Sequence, residues 1–367
     1  MAVITYKCPN CGGPLTWDAD KQAYFCDYCN SKFSQEEIAK IRPESAAVQQ
    51  ETQAAAEPDR EIKETDHTEE IPRGQVTLHY TCPNCGAEIM TDETTAAAFC
   101  YYCHNPVVLS DRLSGDKLPE LIAPFEISRE KAREIFLEWI KRHRYIPKDF
   151  YNEKQITLLS GVYFPYWIYD CEVDGSLSGD GKKLRVWTAG GFQFTETSVY
   201  DISRSGSMQI ENVTRIALKK ASRVLCESVM PFRPEKMRPF APAYLQGYSA
   251  EIRDIDKDAL SGEMSEEIRR FAGERLQEEA GDGYNSIDVK QLEATVTKES
   301  WHYALMPVWT LTYRDPKKDR LYYFSINGQT GKTCGVLPTD TGRLFRLFLL
   351  VFIPAFLILL LMMYFLF

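Results

Sequence analysis

The chain has 367 residues, of which 12% are aromatic, and a formal net charge of −9. This length allows two or three domains with a substantial core, and the aromatic content excludes a disordered polymer. The acidic balance argues against a general nucleic-acid binder, whose affinity depends on cations that displace phosphate counterions.

The N-terminus, "MAVITYKCPN", has neither a charged leader nor an apolar run, so no secretory signal is expected. The first predicted element is a cysteine module within residues 1–33. Cys8 and Cys11 form one Cys-x-x-Cys pair, and after fourteen residues Cys26 and Cys29 form another. Two intervening residues let a tight knuckle turn both sulfurs toward one ion. Gly12, right after the second cysteine, supplies the positive φ such a turn needs. Two facing knuckles place four thiolates in a tetrahedron, the closed arrangement of a structural zinc site, and the gap holds one short hairpin. Iron in a rubredoxin-like site is the rival, because its knuckles have the same form. A thioredoxin-type pair needs a single Cys-x-x-Cys at a strand–helix junction and fits less well.

Residues 34–73 read as a linker. Ser34 and Glu37 make a capping-box pattern, which predicts a short helix over "QEEIAKI" ending near Pro43. The segment holds eleven acids against five bases and almost no large apolar residue after that helix. It is expected to be a flexible acidic tether; a solvated helix is the alternative for its first half.

Residues 74–110 repeat the module. Aligning Tyr6–Phe33 with Tyr80–Val107 gives twelve identities in twenty-eight positions, with Cys82, Cys85, Cys100 and Cys103 matching the first four cysteines. The expectation is two structural zinc ions per chain, Zn²⁺ being the cofactor. His104 reads as a surface residue, since four cysteines fill the shell. The first ribbon balances three lysines against three aspartates; the second has three acids and no Lys or Arg. Nucleic acid is therefore an unlikely partner for either, and protein contact is expected instead. Eight of the eleven cysteines lie in these modules, leaving Cys171, Cys226 and Cys334. A secreted disulfide framework is not grouped this way, and a reducing cytosol keeps thiols available for metal.

The body, 111–342, reads as mixed α+β. "SREKAREIFLEWIKRH" places Ala132, Ile135, Phe136, Trp139 and Ile140 on one helical face, with Ser128 as N-cap. "TLLSGVYFPYWIYDCEVDGSLSG" is β-like and aromatic. "SEEIRRFAGERLQEEAG" predicts a second helix with Ile268, Phe271, Ala272 and Leu276 inward and Gly281 as its stop. Strands over "WHYALMPVWTLTYRD" and "RLYYFSINGQTG" follow, with Asn327-Gly328 as a hairpin-like exit. A helix followed by strands thus occurs twice, and Pro165-Tyr166-Trp167 resembles Pro307-Val308-Trp309 in position. Two related helix-plus-β-meander lobes are expected. The Tyr- and Trp-rich strands read as core in preference to a ligand pocket. "GQTGKTCG" lacks the first glycine of a phosphate-binding loop and is followed by no helix, so it reads as a β-turn. With only His143 and His302 in the body and no hydrolase or metalloprotease motif, no enzymatic activity is expected.

Leu347 to Phe367 is uniformly apolar. As a helix it extends roughly 32 Å, about the thickness of a bilayer's hydrocarbon core. Residues 343–367 are expected to form a single-pass anchor in the cell membrane, and Arg343 and Arg346 before it place the N-terminal domains in the cytoplasm.

Together, "CPNCG…FCDYC", "GVYFPYWIYDCEVDGSLSG", "FAPAYLQGYSAE", "YALMPVWTLTY" and "FSINGQTGK" resemble a bacterial family of membrane proteins with TFIIB-type zinc ribbons, over nearly the whole chain. The resemblance implies a non-enzymatic membrane protein acting in membrane-stress complexes, encoded near phage-shock-protein-A-like and SPFH (flotillin-like) proteins. Members commonly carry one such ribbon, whereas this chain has two. The expected function is a tail-anchored adaptor or scaffold whose ribbons bind a cytosolic protein partner. A membrane-tethered nucleic-acid-binding regulator and a ligand-binding sensor built on the aromatic strands are the alternatives.

Overall fold

Where the sequence carries a complete local signal, the chain follows it. Ser34 N–H donates to the Glu37 carboxylate at 2.7 Å and Glu37 N–H to Ser34 Oγ at 3.3 Å, so the capping box closes in both directions. The structure, a computed structural model, describes residues 3–40, 44–45, 78–82, 84–85, 88–100, 105–143, 145–221, 223–315, 320–338 and 340–366. Of the linker expected over 34–73, residues 41–43 and 46–73 lie outside the described residues.

The N-terminal third consists of β1 (Val3–Thr5), β2 (Thr16–Asp18), β3 (Ala23–Phe25), β4 (Lys32–Phe33), α1 (Gln35–Lys40), β5 (Glu44–Ser45), β6 (Leu78–Thr81), β7 (Glu88–Thr91), β8 (Thr95–Phe99) and β9 (Pro106–Leu109). The body follows with β10 (Leu121–Ile122), α2 (Arg129–Lys141), α3 (Glu153–Thr157), β11 (Ser160–Ala189), β12 (Phe192–Ile216), α4 (Arg223–Ser228), β13 (Arg238–Pro239) and β14 (Ser249–Glu251). The chain closes with α5 (Lys257–Gly281), β15 (Ser286–Asp315), β16 (Arg320–Asn327), β17 (Thr333–Gly335) and α6 (Thr341–Leu366). The fold is α+β, and the chain divides into two compact, discontinuous units.

The first unit comprises 1–164, 221–252 and 305–367. Its helix α2 begins at Ser128, whose hydroxyl accepts from Lys131 N–H, and buries Ala132, Phe136 and Ile140. Phe136 and Trp139 meet Phe324 of β16 at 4.9 and 4.5 Å between ring centroids. Asn327-Gly328 does end a hairpin: β16 pairs β17 from Phe324↔Gly335 to Ile326↔Thr333. Buried Asn327 organises that turn. Its Oδ1 accepts from Gln329 and Thr330 N–H, and its Nδ2 donates to Val229 and Pro231 carbonyls.

The second unit comprises 165–220 and 253–304. Here α5 lies on the β11–β12 hairpin. Met264, Ile268 and Ala272 pack with Tyr169, Cys171 and Val173, and further along Ala280 meets Leu177 and Ile202. The helix starts earlier than its apolar period suggests, at Lys257. Phe271, expected inward, is exposed, and Met264 takes an inward place. The aromatic residues Tyr166 and Tyr169 are buried as core here, as Tyr163 is in the first unit.

A repeated set of hydrogen bonds relates the two units. Before α2, the N–H groups of Glu126 and Ile127 both donate to Gly328 O, and Gly328 N–H donates to Pro307 O. Trp309 Nε1 donates to Ile127 O at 3.0 Å. Before α5, the N–H groups of Asp254 and Ile255 both donate to Ala217 O, and Ala217 N–H donates to Pro165 O. Trp167 Nε1 donates to Ile255 O at 3.0 Å. The strand registers correspond too, opening at Val308↔Asn327 in one and Tyr166↔Ile216 in the other. The duplication is thus physical, and its strands are exchanged. Helix α2 precedes β11 in sequence but packs on β16, while α5 precedes β15 but packs on β11 and β12.

The corresponding positions Gly328 and Ala217 differ in room. A Cβ on Gly328 would lie 2.7 Å from the Phe125 ring and 2.8 Å from Pro307 Cβ. Gly328→Ala is expected to lower stability by about 1–3 kcal/mol through overpacking. Ala217→Gly should cost no more than about 1 kcal/mol. Urea midpoints of the full chain in detergent compare the two; equal losses would refute the crowding argument.

Candidate metal centres and the segment that carries them

The first knuckle closes through Gly12 N–H to Cys8 O at 2.8 Å and Cys8 N–H to Gly13 O at 2.7 Å, with Gly12 at φ +75°. The second has the same design. Asn30 N–H donates to Cys26 O at 2.9 Å, Cys26 N–H to Ser31 O at 3.0 Å, and Asn30 takes φ +58°. The sequence reading missed Asn30 because no glycine marks that knuckle. The available signal was its place directly after Cys29, since Asn is among the few residues that enter the left-handed region readily. Between the knuckles, β2 and β3 pair from Thr16↔Phe25 to Asp18↔Ala23, the short hairpin the gap predicts.

Cys8, Cys11, Cys26 and Cys29 come together with their sulfurs within 4.8 Å of one another. Cys8–Cys29 is 3.5 Å and Cys11–Cys26 is 3.4 Å. A disulfide needs about 2.05 Å. A tetrahedral Zn–S₄ site, with bonds of about 2.3 Å, separates its sulfurs by roughly 3.8 Å. The spacing therefore suits four ligands around one ion. Burial pushes the Cys8 thiol up. Cys11, although the Gly13 N–H draws it down, is pushed up to about 12 by the sulfurs of Cys26 and Cys29. Cys29 goes down to about 6, held by the Ser31 hydroxyl and N–H. One thiol ionises readily and its neighbours then resist, which is the electrostatic situation a divalent cation relieves.

In the second module Cys82, Cys85 and Cys100 form a group of the same kind, and Cys85–Cys100 is 3.7 Å. Cys103 lies outside the described residues, as do His104 and Gly86. Cys100 N–H donates to Asn105 O at 3.0 Å, matching Cys26 and Ser31. Asp92 repeats Asp18 at the turn that follows. The Asp18 carboxylate accepts from Asp20 and Lys21 N–H, and that of Asp92 from Thr95 N–H. In each module the first and third cysteines are buried and the second is exposed. Both groups could hold a metal ion. Cys171 belongs to the apolar core beside Val173, where burial pushes its thiol up, so it is a packed side chain.

Both modules are built into the first unit, and one segment, 242–252, holds them. Trp17 N–H donates to Gln246 O at 3.1 Å, and the Trp17 ring meets Tyr244 edge-on at 5.1 Å. Trp17 Nε1 and Gln22 Nε2 both donate to Phe125 O, at 3.4 and 2.8 Å. Gly247, at φ +90°, leaves its Cα side against Thr16, where a Cβ would come within 3.2 Å. The second module grips the next residues: β8 pairs β14 through Ala97↔Ala250, and Ile252 N–H donates to Thr94 O at 2.7 Å. β1, leading into the first module, pairs β9 at the end of the second. The repeats thus differ where they attach. Trp17 and Gln22 correspond to Thr91 and Ala96, so the second module attaches by strand pairing instead.

At the C-terminus, Leu344–Met363 of α6 is long and apolar enough to cross a membrane, and none of it is buried. Phe345, Phe348, Phe352 and Phe356 stack along one side at centroid distances of 6.4, 5.2 and 5.7 Å.

The chain is similar to the protein YdjG of Bacillus subtilis (strain 168), described as uncharacterized. Identity is 28% over 341 residues, covering 93% of this chain and 92% of YdjG. No family profile and no solved structure matches the chain.

Stripping the metal is expected to loosen the first unit beyond the ribbons. Amide exchange should quicken over 6–33 and also over 242–252, while α5 in the second unit keeps its protection. The ligands such an ion would have are thiolates, so protons would compete with the metal. Retention is expected at neutral pH and loss as pH falls and the sulfurs are protonated. Exchange confined to the ribbons after chelation would show that they are not load-sharing with 242–252.

Proposed function

We propose that this protein is a tail-anchored membrane adaptor whose two ribbons each hold a structural zinc ion and present their knuckles to a cytosolic protein. One observation supports the reading above others: each ribbon attaches within the first unit through its strands and leaves knuckle residues in solvent. Cys11, Cys85 and Asn84 are exposed, and Tyr28, between the ligands Cys26 and Cys29, is 77% exposed. A shell of four thiolates leaves no open position for a substrate, so the ions serve shape rather than chemistry. The second ribbon's lack of any Lys or Arg favours a protein over nucleic acid. Helix α6 is the anchor, and Arg343 and Arg346 favour a cytoplasmic body. The resemblance noted above suggests a phage-shock-protein-A-like or SPFH-type partner in a membrane-stress complex.

Elemental analysis of protein purified without added metal should give zinc near two equivalents per chain; iron in its place overturns the zinc reading. Cys82→Ser with Cys85→Ser should leave the protein in the membrane yet release most of a co-purifying cytosolic protein, and Cys8→Ser with Cys11→Ser should do likewise. Unchanged bound proteins in both variants would sink the adaptor. Bound nucleic acid lost steeply as salt rises would favour the regulator instead.

The full chain should resist carbonate extraction, since the apolar area of α6 exceeds what surface charge can hold. Protease added outside intact cells should spare the ribbons. Their digestion would reverse the assigned orientation.

A further inference from the structure

The second unit departs from its counterpart in one respect, the length of its hairpin. In the first unit the pairing that opens at Val308↔Asn327 ends at Asp315↔Arg320. In the second, the pairing that opens at Tyr166↔Ile216 runs on to Ala189↔Phe192 and turns at Gly190 and Gly191, both at positive φ. The third strand of the sheet, β15, begins only at Ser286. Just before it, Asn285 N–H donates to Lys182 O and Asn285 Oδ1 accepts from Leu184 N–H, at 2.8 and 2.7 Å. Beyond that point β11 and β12 continue as two strands. A two-stranded ribbon with neither face covered is marginal in water.

Its side chains do not suit water. Trp187 and Phe194 stack at 5.7 Å, Phe192 is 72% exposed, and Leu184 and Val186 are exposed from the other face of the ribbon. Set back from this apolar end are the cations. Lys183 lies over Tyr284 and Tyr200, Arg185 lies over Trp187, and Lys182 pairs with Asp288. From 182 to 200 the chain holds three cations and one acid, Glu196, in a protein of net charge −9.

We infer that the tip of the β11–β12 hairpin docks into the surface of a membrane containing anionic lipid. A narrow turn offers a protein partner little area. Lipid surrounds it, and each face of this ribbon carries exposed apolar side chains, Trp187, Phe192 and Phe194 on one and Leu184 and Val186 on the other. Aromatic residues at the leading end with Lys and Arg behind is the order that an interface imposes, the rings among the acyl boundary and the cations at the headgroups. The inference rests on the membrane-anchored reading: α6 keeps lipid at high effective concentration, so a second, weak contact becomes populated.

The test uses the full chain carrying Gln193→Cys with an environment-sensitive fluorophore, reconstituted into phosphatidylcholine vesicles with or without phosphatidylglycerol. Unsubstituted protein labelled in parallel sets the background. The expected result is a blue shift, larger with phosphatidylglycerol, and quenching by nitroxide-labelled lipid. Adding Trp187→Ser, Phe192→Ser and Phe194→Ser should abolish both while flotation with vesicles and the thermal melt stay unchanged. Lys183→Gln with Arg185→Gln, which leaves the apolar tip intact, should remove only the gain from phosphatidylglycerol. A labelled protein that floats with vesicles but stays in water sinks the docking and leaves the anchor standing. Failure to float at all removes the anchor and the docking with it. Shielding that lipid nitroxide does not quench, and that grows with protein-to-lipid ratio, assigns the tip to a second copy and overturns the inference.

Discussion

Three backbone carbonyls beside α2 carry the first unit. Phe125 O accepts from Trp17 and Gln22 of the first ribbon, Ile127 O from the Trp309 indole, and Gly328 O from the N–H groups of Glu126 and Ile127. Around them the Phe125 ring stacks on Tyr248 at 4.1 Å and 9°, and meets Tyr163 and Trp309 near 5 Å, at 5.0 and 5.1 Å. Buried carbonyls cost free energy unless they are paired, on the order of 1–3 kcal/mol each. A chain that runs a loop through its core must therefore find donors for it. The donors to its carbonyls come from a ribbon and a strand far apart in sequence, and its own N–H groups donate to a turn. The loop is what obliges them to meet.

That arrangement gives the metal sites a wider reach than their size suggests. A module of about thirty residues buries too little apolar surface to fold alone, so an ion held by its cysteines would supply folding free energy. The indole of Trp17 is held in place by that folded hairpin, and it contributes to a seam with Tyr24 and Tyr244 at 5.0 and 5.1 Å. Loss of such an ion would remove the hairpin's constraint, and with it the donors to Phe125 O and the cover over segment 242–252. The second ribbon attaches to the same segment by strand pairing, so the two sites act on a shared element.

The cysteine modules, the helices α2 and α5, the capping box and the apolar tail were legible because each depends on neighbours a few residues away. Ser34 and Glu37, or Ser128 before α2, need no tertiary partner to declare themselves. The recurrence of Pro-x-Trp was legible as well, but its meaning was not. Which helix packs on which strand is decided by long-range pairing, and the exchange between α2 and α5 leaves no trace in local periodicity. Asn30 was hidden because it does a glycine's work without being one. Phe271 was misplaced because periodicity gives a face, while Met264 and the extra turns from Lys257 rotate which part of that face is covered. The attachment of the ribbons was invisible for a related reason: Trp17 looks like any core aromatic until Phe125 and Tyr244 are beside it.

Two duplications sit in one chain, and in each the copies keep their internal bonds and differ at one edge. The ribbons share the bond from the third cysteine, Cys26 to Ser31 O and Cys100 to Asn105 O, and the turn aspartate, Asp18 or Asp92, yet diverge at Trp17 against Thr91. The units share the Trp indole bond and the paired N–H groups before each helix, yet diverge in hairpin length and at Gly328 against Ala217. Bonds that close a motif on itself tolerate little change, because a lost partner leaves a buried polar group behind. Edges carry no such constraint and are free to acquire separate uses. In the first unit the Phe125 ring and Pro307 leave no room for a Cβ at Gly328. The second unit, with no ribbon to receive, has Ala217 there and spends its extra length outward, in strands that end on Trp187, Phe192 and Phe194.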